Sequence, residues 1–229
     1  DYQAQKRGGR GKQATKTKEE DFIDNMFIVN THDYILCFSN RGRVYWIKVY
    51  NVPQGGRGSR GKPIVNLLNL GEGEKINTIL PVKVFDENHF VFMATSMGTV
   101  KKISLSRFSR PRVGGIIALS LDDKDYLIGV SITEGKHDVM LFSDGGKAMR
   151  FDENDVRPMG RSARGVRGMK LNAGQRVISL LVAEDEELSV LTATENGFGK
   201  RTPISEYARH RRGTQGMISI RTSERNGKV

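Results

Sequence analysis

The chain has 229 residues, of which 37 are Lys or Arg and 26 are Asp or Glu, so its formal net charge is +11. Hydrophobic residues make up 37% of the chain and aromatic residues 7%, which is too apolar for a disordered tail. The single cysteine, Cys37, excludes a disulfide scaffold and a cysteine-based zinc cluster and indicates a reducing compartment. No apolar run approaches the ~18 residues that a membrane span needs. Because the chain begins with Asp1, without an initiator Met or an apolar leader, we expect a piece of a longer protein.

A turn glycine follows a strand-like apolar run four times along the chain. These glycines are Gly42, Gly98, Gly146 and Gly197, and their spacings are 56, 48 and 51 residues. A second β-type segment follows each glycine. Gly with Asn, Asp or Ser at the reversal is typical of a hairpin, because such turns need positive φ. A period of this length suits a propeller blade, so we predict one all-β domain over residues 1–229 with four hairpin repeats.

The repeats also predict how the blades assemble. A single hairpin cannot bury its own apolar face, so we expect four-stranded blades side by side in a propeller-like β-pinwheel, either a disc or an open spiral. The hydrophobic residues ten positions after the glycines, expected to anchor each blade, are Val52, Phe108, Val156 and Tyr207. Residues 1–18 align with the segment from Tyr207 onward and therefore resemble the tail of a first blade. We expect the first and last blades to be incomplete.

Positive charge is concentrated in one part of each repeat. Residues 1–18, 57–62, 101–112, 157–170 and 200–212 together hold 24 basic and two acidic residues, whereas the rest of the chain holds 13 basic and 24 acidic residues. An isolated charge run is usually a solvated loop, but five runs in repeat register predict a positive rim. The candidate DNA-binding residues in the last four runs are Arg57, Arg60, Lys62, Lys101, Lys102, Arg110, Arg112, Arg161, Arg164, Arg167, Arg209, Arg211 and Arg212.

The chemistry of these runs favours the backbone of a nucleic acid. Glycine lets a loop approach a phosphate closely, and the arginine fork binds its oxygens. No recognition helix or zinc-finger spacing is present, so we predict duplex DNA binding without sequence preference. Bending a duplex by 40–90° costs on the order of 1–6 kcal/mol. Because a curved row of cationic loops can offset this cost, wrapping of the DNA is expected.

The sequence offers no catalytic or metal site, but it allows two alternative functions. The four histidines, His32, His89, His137 and His210, have no metal-ligand spacing, so no active site, metal or cofactor is expected in this chain. A propeller that serves as a protein-interaction module is one alternative. RNA binding through the Arg-Gly loops is another.

The segment Gln5-Lys6-Arg7-Gly8-Gly9-Arg10-Gly11 resembles the gyrase A box, a basic glycine-rich signature of the C-terminal DNA-wrapping domain in the A subunit of bacterial DNA gyrase. Gly42-Arg43-Val44-Tyr45, Gly98-Thr99-Val100-Lys101-Lys102 and further segments are similar to the same domain, so the resemblance covers essentially the whole chain. Lys6 stands where the family commonly has Arg, which keeps the charge but loses a bidentate fork.

The resemblance implies a six-bladed β-pinwheel whose neighbouring blades exchange strands and whose rim wraps DNA. The DNA-binding residues that it adds are Gln5, Lys6, Arg7, Gly8, Gly9, Arg10, Gly11 and Lys12. The wrap would present a positive crossing, so that strand passage by the holoenzyme introduces negative supercoils. The implied partners are the N-terminal region of the gyrase A protein and the gyrase B protein in an A2B2 enzyme, which together use ATP and Mg²⁺ outside this chain. The implied location is the bacterial cytoplasm, on the chromosome.

The related C subunit of topoisomerase IV, which selects DNA crossings, is the alternative to gyrase. The near-complete box favours gyrase.

Overall fold

The computed structural model describes Arg7 and residues 23–56 and 58–229, and this part of the chain is all-β. Its strands are β1 (Tyr34–Ser39), β2 (Arg43–Lys48), β3 (Ile76–Val82), β4 (Phe90–Thr95), β5 (Thr99–Ser104), β6 (Ile116–Ile117), β7 (Leu127–Thr133), β8 (Asp138–Ser143), β9 (Lys147–Asp152), β10 (Val166–Arg167), β11 (Val177–Ala183), β12 (Ser189–Ala193), β13 (Gly199–Pro203) and β14 (Met217–Ile218). The helical segments are short 3₁₀ turns at Val49–Asn51, Ile64–Leu67, Leu105–Phe108, Glu153–Asp155 and Ile204–Glu206. Within the described residues, no helix is long and apolar enough to cross a bilayer.

The four hairpins β1–β2, β4–β5, β8–β9 and β12–β13 turn at the four glycines identified in the sequence. Three of them form the centre of antiparallel four-stranded sheets, with the strand orders β3-β1-β2-β6, β7-β4-β5-β10 and β11-β8-β9-β14. The two outer strands of each sheet come from before and after the next hairpin in the sequence. Neighbouring repeats therefore exchange strands, and the all-β propeller-like fold is confirmed. Within the described chain, the fourth hairpin forms a two-stranded sheet.

The hairpin glycines are required by this strand exchange. Gly98 has a φ of 86°, and its carbonyl accepts hydrogen bonds from the backbone N–H groups of Gly168 (2.8 Å) and Met169 (3.2 Å). A Cβ at Gly98 would lie 2.6 Å from the Met169 carbonyl oxygen. Gly42 and Gly146 make the same pair of backbone hydrogen bonds to the returning strand. Glycine at these turns therefore allows both the positive φ and the close approach of the exchanged segment.

The apolar core lies between successive sheets, where each hairpin packs against the one before it. Phe108 meets the Phe38 ring edge-on, with 6.1 Å between centroids, and Tyr207 meets the Phe142 ring in the same way at 5.9 Å. Val156 is fully buried in the cluster between the second and third sheets. Val52 is 41% exposed, so the expectation that it is a buried anchor is wrong. Each of the other three anchors packs on the hairpin before its own, and within the described chain no hairpin precedes β1–β2, the hairpin that Val52 follows.

Candidate nucleic-acid interface

Three basic loops occupy equivalent places in successive repeats. We use the term basic loops for residues 109–115, 157–165 and 208–216. Each leads from the end of one hairpin into the short strand, β6, β10 or β14, that completes the sheet of the preceding repeat. Each ends in a glycine with positive φ, at Gly115, Gly165 and Gly216. The predicted repeat register of the charge is therefore built on a repeated backbone path.

Most of the predicted cationic residues are accessible. The exposed ones among those described are Arg7, Arg60, Lys62, Arg110, Arg112, Arg161, Arg164, Arg167, Arg209 and Arg211, and Arg212 is half-buried. Gln5, Lys6, Gly8, Gly9, Arg10, Gly11, Lys12 and Arg57 lie outside the described residues. The accessible candidates therefore lie on the three basic loops, at Arg167 of β10, and at Arg7, Arg60 and Lys62.

The first and second basic loops line a common cleft. Arg112 of the first loop and Arg161 of the second line one cleft, together with Arg43 at the start of β2. The Arg43 guanidinium donates a 2.5 Å hydrogen bond to the Gly114 carbonyl, so it supports the first basic loop. Sequence reasoning missed Arg43, because it is a single cation outside the charge runs. Its place directly after Gly42, against the returning strand, is the signal that could have found it.

Arg212 ties the third basic loop to the residues that flank the second one. The Arg212 guanidinium donates hydrogen bonds to the backbone carbonyls of Asp155 (2.9 Å) and Arg167 (3.1 Å). The backbone N–H of Gly213 also donates to the Gly168 carbonyl at 2.6 Å. Arg212 thus acts as a connector between repeats, with less freedom to contact a ligand than the exposed arginines.

Arg209 is partly neutralised by an acidic group. Its guanidinium lies 2.7 Å from a carboxylate oxygen of the buried Asp138, and the same carboxylate accepts a 2.7 Å hydrogen bond from Arg150. The hydrogen bond and charge of Asp138 raise the pKa of Arg209. The pKa of Arg150 is raised first by its hydrogen bond to Glu186 and also by Asp138. Arg209 therefore adds less net positive potential to the loop than an unpaired arginine would.

Lys101 and Lys102 are not surface residues, so the prediction that they contact DNA is wrong. Both side chains are buried, with relative exposures of 0% and 1%. The Lys101 ammonium donates to the carbonyls of Ala118 (2.9 Å) and Arg161 (2.7 Å). The Lys102 ammonium donates to the Glu153 carbonyl at 3.2 Å and lies 3.9 Å from its carboxylate. Both faces of β5 are covered by neighbouring repeats, so neither ammonium can reach a phosphate.

Burial also shifts the pKa values of Cys37 and Lys101. It raises the pKa of the Cys37 thiol to about 12, so this thiol is inert at neutral pH. The pKa of Lys101 is lowered to about 8, mainly by burial and secondarily by the charge of Arg161. Among the described residues, no group of three or more His, Cys, Asp or Glu side chains is arranged to hold a metal ion.

A protein-family model described as "DNA gyrase C-terminal domain, beta-propeller" matches residues 1–30, 33–83, 89–134, 137–184 and 189–229. The chain is 57% identical over 229 residues to the DNA gyrase A subunit of Salmonella typhimurium strain LT2, and this covers 100% of the chain and 26% of that protein. For the DNA gyrase A subunit of Escherichia coli K12 the identity is 55%, with the same coverage. The chain therefore spans about a quarter of these curated relatives.

Two solved structures are similar to the chain over most of its length. A crystal structure of the C-terminal domain of DNA topoisomerase IV superposes with a TM-score of 0.82 at 27% identity, covering 87% of the chain and 62% of that structure. A structure of the DNA gyrase A C-terminal domain superposes with a TM-score of 0.73 at 30% identity, covering 95% of the chain and 73% of that structure. Since the family model matches most of the sequence and the structure shows repeated strand-exchanged hairpins, the chain belongs to the DNA gyrase C-terminal domain family, whose fold is a β-propeller.

Proposed function

We propose that this chain binds duplex DNA without sequence preference and wraps it around the positive rim formed by the basic loops. The observation that carries the proposal is the equivalent placement of three basic loops in successive repeats. Arg112 and Arg161 line a cleft between the first two loops, and Arg212 of the third loop bonds to Asp155 and Arg167, which flank the second. A continuous row of this kind can follow a bent duplex, whereas a single patch cannot.

The charge distribution supports backbone recognition. The five basic segments hold 24 of the 37 Lys and Arg residues and two of the 26 acidic residues, so the rest of the chain is acidic. DNA held on the rim is therefore repelled by the body of the domain. Among the described residues no α-helix is available to enter a major groove, and phosphate contacts then supply most of the affinity.

We further propose that the wrap creates the chiral crossing from which gyrase produces negative supercoils. In this proposal the domain is non-catalytic. The N-terminal region of the gyrase A protein and the gyrase B protein, in an A2B2 holoenzyme in the bacterial cytoplasm, supply DNA cleavage and the chemistry of ATP and Mg²⁺. The gyrase A box, Gln5-Lys6-Arg7-Gly8-Gly9-Arg10-Gly11, together with Lys12, would hold the end of the wrapped arc.

The salt dependence of binding tests the proposal. If five loops each neutralise about two phosphates, the slope of log K against log salt is expected to be roughly −9. The variant Arg161→Ala/Arg164→Ala/Arg167→Ala is expected to make the slope shallower by about three. A matched variant, Lys75→Ala/Lys83→Ala/Lys136→Ala, removes three exposed lysines outside the basic segments and should leave the slope nearly unchanged. Fluorescence anisotropy with a mixed-sequence duplex measures the salt slope of the wild type and of both triple variants.

A wild-type slope shallower than about −3 would show that the loops do not act as one surface. Competition with duplex RNA and with single strands separates DNA wrapping from the RNA-binding alternative, because the proposal expects duplex DNA to compete best. A topoisomerase IV-type role is the second candidate, favoured by the TM-score of 0.82 to that domain. Relaxing circular DNA with an independent topoisomerase while the domain is bound distinguishes the two, since a chiral wrap leaves a change in linking number.

A further inference from the structure

In the first three repeats, the residue three positions after the hairpin glycine lies beneath the basic loop of the next repeat. In the first repeat this residue is Tyr45, whose ring lies against Gly115, because a Cβ there would meet it at 2.8 Å. In the third it is Met149, whose sulfur accepts a 3.6 Å hydrogen bond from the hydroxyl of Thr214. In the second it is Lys101, which contacts Arg161. The same position supports three successive loops with three different side chains.

Lys101 makes the strongest of these contacts. Its ammonium is fully buried and holds two backbone carbonyls, one on Ala118 of the strand-exchanged segment and one on Arg161 of the basic loop. Among the described residues, no carboxylate lies within ion-pair distance of this ammonium, so its charge is directed to the two carbonyls. Hydrogen bonds from a charged donor are stronger than neutral ones. The Arg161 backbone is thereby fixed relative to the preceding repeat.

The position of the Arg161 backbone determines the shape of the cleft between the first and second basic loops. Arg112 and Arg161 line this cleft, together with Arg43. We propose that Lys101 is a positioning residue of the DNA interface, whose buried ammonium holds the Arg161 backbone so that Arg161 and Arg112 grip one phosphate of the duplex between them. This inference rests on the proposed DNA-binding function and assigns a role to a cation that does not touch DNA.

The chain itself offers a substitution compatible with the fold. Met149 is fully buried at the position of the third hairpin that corresponds to Lys101, so Lys101→Met gives the second hairpin the side chain that the third one already holds. Lys136→Met is the matched control, because it also removes one lysine charge but from a surface residue outside the basic loops.

The test compares binding to a mixed-sequence duplex over a range of potassium chloride concentrations for the wild type, Lys101→Met, Arg161→Ala, their double variant and Lys136→Met. Arg161→Ala is expected to make the salt slope shallower by about one. Lys101→Met is expected to do the same although it removes no exposed charge, and the double variant should equal Arg161→Ala alone. Lys136→Met should match the wild type.

A second readout uses the titration of Lys101. The charged side chain that acts on this ammonium is Arg161, and burial together with that charge lowers the pKa of Lys101 to about 8. Raising the pH across this value neutralises the amine and weakens both carbonyl contacts. The salt slope of the wild type should become shallower across this range, and the slope of Lys101→Met should not.

The outcomes separate the two proposals. If wild-type binding depends steeply on salt and Lys101→Met has the same salt slope, the positioning role is overturned. The proposed function then still stands. Additive losses in the double variant also overturn it, because they would mean that Lys101 does not act through Arg161. A wild type that does not bind duplex DNA overturns the proposed function and the positioning role with it.

Discussion

At the scale of single residues, one turn departs from the pattern of its repeats. Lys124 has a φ of 61° and is the one non-glycine residue with positive φ among those described. It lies three residues before β7. The equivalent positions before β3 and β11 hold Gly73 and Gly174, with φ values of 69° and 75°. The left-handed conformation costs roughly 1–2 kcal/mol for a residue with a Cβ, so this turn is strained where its counterparts are not.

Lys124→Gly is therefore expected to raise the free energy of unfolding by about 0.5–1 kcal/mol, since the greater freedom of glycine in the unfolded chain offsets part of the relief. Urea unfolding followed by circular dichroism measures the change. The reverse variant, Gly174→Lys, is expected to lower stability by a similar amount, because its Cβ meets no atom within 4 Å and only the φ strain remains. Equal stability of all three proteins would show that these turns adjust without strain.

At the scale of elements, the exchanged strands determine which turn glycines are indispensable. Gly98 and Gly197 both lie at hairpin turns with positive φ, of 86° and 79°. A Cβ at Gly98 would meet the Met169 carbonyl, whereas a Cβ at Gly197 meets nothing within 4 Å. The difference arises because β10 returns to the second sheet, while in the described chain the fourth hairpin receives no such strand.

Gly98→Ala is expected to lower the free energy of unfolding by about 1–3 kcal/mol more than Gly197→Ala, because only the first substitution adds a backbone clash to the φ strain. Thermal and urea unfolding of the two variants give the comparison directly. Similar losses would mean that strain at the turn, and not the approach of the exchanged strand, accounts for the requirement for glycine at Gly98.

At the scale of the whole molecule, affinity and wrapping are expected to depend on different residues. Five segments hold 24 basic residues, and the attraction for DNA is distributed over all of them except the buried Lys101 and Lys102, so a local loss removes only a small part of it. Curvature instead depends on where along the arc the duplex is held. A group at the end of the arc contributes little to affinity, yet it decides whether the last stretch of DNA stays bent.

Lys6→Ala/Arg7→Ala/Arg10→Ala, placed in the full gyrase, is therefore expected to keep DNA binding and ATP-dependent strand passage but to lose negative supercoiling. The three residues are a small fraction of the basic set, and the resemblance assigns them to the gyrase A box. Gel electrophoresis of relaxed and supercoiled plasmid measures both activities on one preparation. Supercoiling at the wild-type rate would show that this segment is not the functional box.

Features that depend on neighbours along the chain could be predicted from the amino-acid sequence. Hairpin turns are set by local φ requirements, as at Gly42 and Gly146, and the concentration of charge in one loop per repeat can be counted directly. The repeat of about fifty residues then predicted the propeller-like architecture. Each of these follows from residues close together in the chain, so no knowledge of distant contacts was needed.

Which cations are exposed, in contrast, depends on the packing of the repeats in three dimensions. Lys101 and Lys102 alternate along β5, so a strand with one solvent face would expose one of them. In the fold both faces of β5 are covered by neighbouring repeats, and the two ammonium groups bind carbonyls of residues 17 to 60 positions away. The pairing of Arg209 with Asp138 and the support of a basic loop by Arg43 are equally nonlocal. Contacts between repeats depend on how the sheets pack, and this packing left part of the predicted charge on the rim and placed the rest beneath it.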